Sequence, residues 1–87
     1  MSAVKKELIK QFAYEVEGLD YEVQGYVYRI NNEEGTHYHW DISHLYQPSE
    51  TAGVYHPSVI TAETAEEAER LLDAYAMSFT TIGVEAA

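Results

Sequence analysis

The fold is decided by residues 21–46, which read YEVQGYVYRINNEEGTHYHWDISHLY. Residues 21–30 are rich in Tyr and Val, a composition that favours a β-strand. Residues 31–35, NNEEG, predict a tight turn because Asn and Gly adopt the left-handed backbone conformations that hairpins need. Residues 36–46 alternate apolar and polar side chains, which predicts the partner strand. We therefore expect two antiparallel strands joined by this turn.

The alternation also predicts which face of the paired strands is buried. Side chains point to opposite faces at successive positions of a strand. The face that carries Trp40 is expected to be core, and it also holds Val23, Gly25, Val27, Tyr38 and Ile42. The opposite face is expected to carry Glu22, Gln24, Tyr26, Tyr28, His37, His39 and Asp41.

The segment before the first of these strands is predicted to be a helix over residues 3–16, ending at Gly18. Its apolar residues recur at helical spacing, at Val4, Leu8, Ile9, Phe12 and Val16. An alternative is that residues 12–16 open a strand, since Phe12, Tyr14 and Val16 alternate with other side chains.

The C-terminal half is predicted to be a loop at residues 47–53, a strand at 54–60 and a helix from Thr61 or Thr64 to Phe79. Pro57 makes the strand an edge strand because proline lacks an amide hydrogen. Thr64 and Glu67 have the spacing of a capping box. The predicted fold class is therefore α+β in a single domain over residues 1–87. It consists of a small three-stranded antiparallel sheet with an N-terminal and a C-terminal helix on one face, in the order α-β-β-β-α.

Charge is the strongest pointer to function. Fifteen Asp and Glu against five Lys and Arg give a formal net charge of -10. Ten of the acids, but only Arg70 among the bases, lie in residues 33–87. Because crowded like charges repel each other, this excess favours a basic protein or nucleoprotein partner. It disfavours direct binding to nucleic acid or to an anionic membrane.

The remaining composition limits the class of protein. The chain has no cysteine, so no disulfide or zinc–thiolate site is expected. It has no apolar run long enough for a membrane span, and residues 1–7 do not resemble a signal peptide. We therefore expect a soluble, cytoplasmic protein.

The acidic helix and the tyrosines each admit two interpretations. Acids in a first turn stabilise the helix dipole, and Glu66 can pair with Arg70. Neither explanation accounts for Glu69 and Asp73, because like charges four residues apart on a helix repel and destabilise it. Tyr26 and Tyr28 are either contacts for a partner or a cross-strand pair that stabilises the sheet. Five other tyrosines are predicted to belong mostly to the core: Tyr14, Tyr21, Tyr38, Tyr55 and Tyr75.

The histidines provide an alternative function. His37 and His39 share one strand face, and Asp41 could be a third metal ligand there. The competing interpretation is that they are polar strand positions. Protonating all four histidines would add four positive charges to -10, giving -6, so binding to a basic partner would weaken in acid.

Enzymatic activity is not expected, and neither is a cofactor. The chain has no Gly-rich phosphate loop, nucleophile elbow or cysteine. Ser43, His44 and Asp41 are sequence neighbours, but adjacent strand residues point to opposite faces.

In size, acidity and element order the chain resembles small phage-encoded inhibitors of bacterial defence, including anti-CRISPR proteins and DNA mimics. That resemblance implies a non-enzymatic inhibitor that presents carboxylates to a basic nucleic-acid-binding surface, such as that of a CRISPR effector. Residues 59–68 are similar to the strand-to-helix segment of HicB-type antitoxins, which leaves an antitoxin-like or structural interaction protein as another alternative. The predicted partner-binding residues are Glu22, Tyr26, Tyr28, Glu33, Glu34, Asp41, Glu66, Glu67 and Asp73.

Overall fold

The computed structural model describes residues 4–49, 51, 53–57, 59–79 and, for the backbone, 83–85. The elements are β1 (Lys5–Glu15), β2 (Glu22–Asn32), β3 (Gly35–Ile42), β4 (His44–Tyr46), β5 (Thr61–Ala62), α1 (Ala65–Ala76) and β6 (Gly83–Glu85). One antiparallel sheet has four strands in the order β1-β2-β3-β5, and a second sheet pairs β4 with β6. A single described helix, α1, lies between β5 and β6 in the sequence.

The hairpin predicted from residues 21–46 is present. β2 pairs with β3 from Gly25 opposite Ile42 to Asn32 opposite Gly35. The turn is stabilised by Asn32, whose Oδ1 accepts the Glu34 amide at 2.9 Å. Gly35 has φ +127°, a conformation that side chains rarely adopt, so glycine is required there.

The predicted α-β-β-β-α order is wrong, because the N-terminal segment forms β1 instead of a helix. β1 pairs with β2 along its length, and the register shifts between Leu8 and Lys10. This β-bulge interrupts the two-residue period, since an extra residue moves the following side chains to the other face. The apolar residues on either side of Ile9 therefore fall at intervals that imitate a helix.

The second predicted strand is interrupted, and the described residues of the third do not form a strand. β3 ends at Ile42, and after Ser43 the chain enters the second sheet as β4. Residues 53–57 and 59–60 form one isolated bridge, between Tyr55 and Tyr46, and no longer strand. Pro57 lies within this segment, where it cannot donate a ladder hydrogen bond. Strand pairing resumes only at β5, which pairs with Tyr38 and His39.

The core lies between α1 and the face of the sheet predicted from the alternation. Val23, Val27, Trp40 and Ile42 are buried there. The helix buries Ala68, Leu72, Tyr75 and Ala76 against them. Thr64 is the N-cap, and its Oγ1 accepts the Glu67 amide at 3.1 Å. The helix ends at Ala76, three residues before the predicted end at Phe79.

Aromatic rings close one end of this core. Tyr75 donates a hydrogen bond to the Tyr55 carbonyl at 2.5 Å, and the Tyr46 and Tyr75 rings lie 5.1 Å apart. Trp40 Nε1 donates to the Val59 carbonyl at 3.0 Å, which attaches the irregular segment to the sheet. The prediction that Tyr21 and Tyr55 belong to the core is wrong, because both are exposed.

No helix in the described part of the chain is both long and apolar enough to cross a bilayer.

Replacing Gly25 with Ala tests the close contact between helix and sheet. A Cβ atom there would lie 2.8 Å from Tyr14 Cε2 and 2.9 Å from Leu72 Cδ2. Because Leu72 is fully buried, we expect Gly25→Ala to lower the free energy of unfolding by about 1–3 kcal/mol in urea denaturation. Gly53→Ala is the control, since a Cβ there meets nothing within 4 Å. Equal stability of the two variants would contradict the close packing.

Candidate functional site

The candidate site is the face of the four-stranded sheet opposite α1, called here the outer face. The helix packs on the face with Val23 and Val27, so it leaves the outer face uncovered. The register of the strands places polar and aromatic side chains there. The outer face includes Lys6, Leu8, Gln11, Ala13, Glu15, Glu22, Gln24, Tyr26, Tyr28, Ile30, His37, His39, Asp41 and Thr61.

Two tyrosines occupy the middle of the outer face. The rings of Tyr26 and Tyr28 lie 6.2 Å apart at 29°, a stacked arrangement. Lys6 Nζ lies 4.1 Å from the centre of the Tyr28 ring, within cation–π range. Partial burial, with smaller contributions from Asp41 and Tyr26, raises the pKa of Tyr28. The Tyr28 hydroxyl is therefore protonated at neutral pH and can donate a hydrogen bond.

His39 and Asp41 stand beside these tyrosines on β3. His39 is opposite Tyr28 and Asp41 is opposite Tyr26. Burial and then Lys6 lower the pKa of His39, with His37 adding to the effect and Asp41 opposing it. The imidazole is therefore neutral at pH 7, and Asp41 supplies negative charge to this part of the face.

The predicted metal set of His37, His39 and Asp41 gains no support from the geometry. Side chains two residues apart on a strand are separated by about 7 Å. Within the described ranges, no group of three or more His, Asp or Glu side chains is placed to hold a metal ion.

Two acids of the helix have a structural role that the sequence did not reveal. Lys10 Nζ donates to Glu69 Oε1 at 2.7 Å, and the Tyr14 hydroxyl donates to Asp73 Oδ1 at 2.6 Å. Burial and this hydrogen bond raise the pKa of Tyr14 strongly. Glu69 and Asp73 therefore attach α1 to β1, which explains why two like charges are tolerated on neighbouring turns.

Only two acids in the described part of the chain form ion pairs. They join Lys10 to Glu69 and Arg29 to Glu7. The pair predicted between Glu66 and Arg70 is not one of them.

The predicted partner-binding residues are distributed over three regions. Glu22, Tyr26, Tyr28 and Asp41 share the outer face. Glu33 and Glu34 form the β2–β3 turn at one end of the sheet. Glu66, Glu67 and Asp73 belong to α1 on the other side of the sheet. The structure thus brings four of them together and separates the rest.

The sequence interpretation missed Glu15, Glu17 and Asp20, which join the predicted Glu22 at the β1–β2 turn. Glu15, Glu17, Asp20 and Glu22 line an open concavity of about 660 Å³ at the end of the sheet opposite Glu33 and Glu34. The signal was the spacing of acids in residues 15–22. Assigning residues 3–16 to a helix concealed it, because a helix would not place Glu15 opposite Glu22.

Ser43 and His44 touch where β3 ends, although strand neighbours were expected to diverge. Ser43 Oγ lies 2.8 Å from His44 Nδ1 and also accepts the Gln24 amide at 2.8 Å. Asp41 Oδ1 instead accepts the Ile42 amide at 2.8 Å. The serine thus bridges β2 to the break between β3 and β4, which is a structural role.

Comparison with known protein families, curated proteins and solved structures finds no match to this chain. Its function is therefore inferred from the surfaces described above.

The lowered pKa of His39 makes folding stability depend on pH. Its folded pKa is below the unfolded value of about 6.5, so its stabilising contribution is complete above that pH and is lost as the pH falls through the folded pKa. We expect His39→Gln to reduce the loss of unfolding free energy between about pH 7 and pH 5. Urea denaturation across this range measures it, with the exposed His56→Gln as control. An unchanged pH profile in His39→Gln would contradict the assignment.

Proposed function

We propose that this chain is a non-enzymatic binding protein that occupies the basic nucleic-acid-binding surface of another protein. The observation that carries the proposal is the outer face, where the stacked Tyr26 and Tyr28 share one surface with two carboxylates: Asp41, opposite Tyr26, and Glu22, farther along β2. In its specific form the proposal describes an inhibitor of the anti-CRISPR type, which acts on a CRISPR effector or a similar nucleoprotein complex.

Charge supports a basic partner. Most acids in the described part of the chain lie outside its ion pairs, so their mutual repulsion remains in the free protein. Lys and Arg side chains on a partner would relieve that repulsion. A protein that binds nucleic acid carries such side chains because it gains affinity by neutralising phosphates. The outer face would therefore compete with nucleic acid for the same cations.

The tyrosines support the same partner through a different interaction. Aromatic rings attract Lys and Arg, and the Lys6–Tyr28 contact shows that a cation can already approach one of these rings. Tyrosine also provides a large contact area at a low entropy cost, which is why it is frequent at binding hot spots. Tyr26 and Tyr28 would be the central anchors, with Glu22 and Asp41 at the rim.

Matched charge reversals test whether the outer face or α1 binds the basic partner. Asp41→Lys reverses an exposed charge on the outer face, and Glu66→Lys reverses an exposed charge on α1. We expect Asp41→Lys to weaken binding about tenfold, or about 1.4 kcal/mol, because it places like charge against the basic partner. Glu66→Lys should have a much smaller effect.

The assay first captures partners from a bacterial lysate at low and high salt. It then measures displacement of labelled nucleic acid from the captured protein by fluorescence anisotropy. The proposal requires displacement by the wild-type protein that weakens as salt screens the charges. The proposal would be contradicted if the wild type, Asp41→Lys and Glu66→Lys displaced nucleic acid equally well. A captured partner that binds no nucleic acid would also contradict it.

A further inference from the structure

In the part of the chain that the structure describes, β1 is an edge strand of the four-stranded sheet, with no strand paired to its outer side. It pairs with β2 on one side, and the strand order places it at the end of the sheet. With 11 residues it is as long as the central strand β2. Its free side therefore presents a long row of backbone donors and acceptors that another strand can use.

The side chains of this edge differ from those of the rest of the protein. Val4, Leu8 and Ile9 are exposed to 57%, 47% and 37%. All three lysines of the chain, Lys5, Lys6 and Lys10, belong to β1. The first half of this edge is therefore apolar and rich in lysine, although the whole chain has a net charge of -10.

Charge is also polarised along the strand. Lys5 and Lys6 lie at its beginning, where the nearby acid Glu7 is paired with Arg29 of β2. Glu15 ends the strand, and Glu17 and Asp20 follow in the next turn. A second strand of the same sequence, running antiparallel, would place its lysines beside these acids. A parallel strand would place lysine beside lysine.

We propose that the β1 edges of two copies of this chain pair antiparallel to form a symmetric dimer. The contact is isologous: Lys5 and Lys6 of each copy face the acidic β1–β2 turn of the other, as two-fold symmetry requires. The exposed Leu8 and Ile9 lie between these two charged regions and are covered near the axis. Lys10, also near the axis, is paired with Glu69 of its own chain at 2.7 Å, which limits repulsion between the two copies.

Lysine and a bulge on an edge strand commonly protect it from pairing with other strands. In this chain the same lysines select a partner with acids at the opposite end, which is the chain itself. The two-fold axis is perpendicular to the sheet, so both helices lie on one side and the two outer faces join on the other. The dimer thereby extends the candidate binding surface, although its formation does not depend on the proposed function.

Sedimentation velocity on the full chain tests this proposal. We expect a species of about twice the monomer mass of 9.9 kDa at low salt, with a larger monomer fraction at high salt. Lys5→Glu with Lys6→Glu should convert the dimer to monomer, and so should Glu15→Lys with Glu17→Lys. Combining the four substitutions should restore the dimer, because the charges are exchanged and their complementarity is kept.

Glu33→Lys with Glu34→Lys is the matched control, since it makes the same change in charge at the other turn and should leave the dimer intact. Circular dichroism verifies that each variant folds. A wild-type protein that remains monomeric at all concentrations would overturn the proposal. A dimer that persists in both β1 variants would overturn its assignment to this edge.

Discussion

The close approach of Leu72 to Gly25 is the contact on which the rest of the structure depends. In the described part of the chain a single helix covers one side of the four-stranded sheet, and it reaches β2 because Gly25 has no side chain. Val23, Val27 and Trp40 are then buried beneath it. Because the helix covers only this face, the tyrosines and acids of the outer face remain available to a partner.

The hairpin and the last helix could be predicted from local patterns. The NNEEG turn, the alternation around Trp40 and the Thr64 cap each specify structure within a few residues. β1 could not be predicted in this way. The bulge at Ile9 moves the side chains that follow it to the opposite face of the sheet, so the apolar residues recur at helical spacing. Residues 54–60 have a composition that favours a strand, but their described part is held by single contacts. Tyr55 forms an isolated bridge with Tyr46, and the Val59 and Ile60 carbonyls accept hydrogen bonds from Trp40.

The candidate site was only partly predictable. The outer-face group of Glu22, Tyr26, Tyr28 and Asp41 followed from strand alternation alone. The roles of Glu69 and Asp73 did not, since they depend on long-range contacts with β1 at Lys10 and Tyr14. The acidity of the chain therefore has two origins. Some carboxylates attach the helix to the sheet, whereas Glu22 and Asp41 lie on the face away from α1 and are, in our proposal, available for a basic partner.

This division of the acids is the central claim, and it is tested most directly by comparing two double variants in urea denaturation. Glu69→Gln with Asp73→Asn removes carboxylates that bind β1, and it should lower the free energy of unfolding by about 1–3 kcal/mol. Glu22→Gln with Asp41→Asn removes the same two residue types from the outer face. It should leave stability unchanged or raise it, because repulsion is relieved. A larger loss of stability in the outer-face variant than in the helix variant would contradict the account.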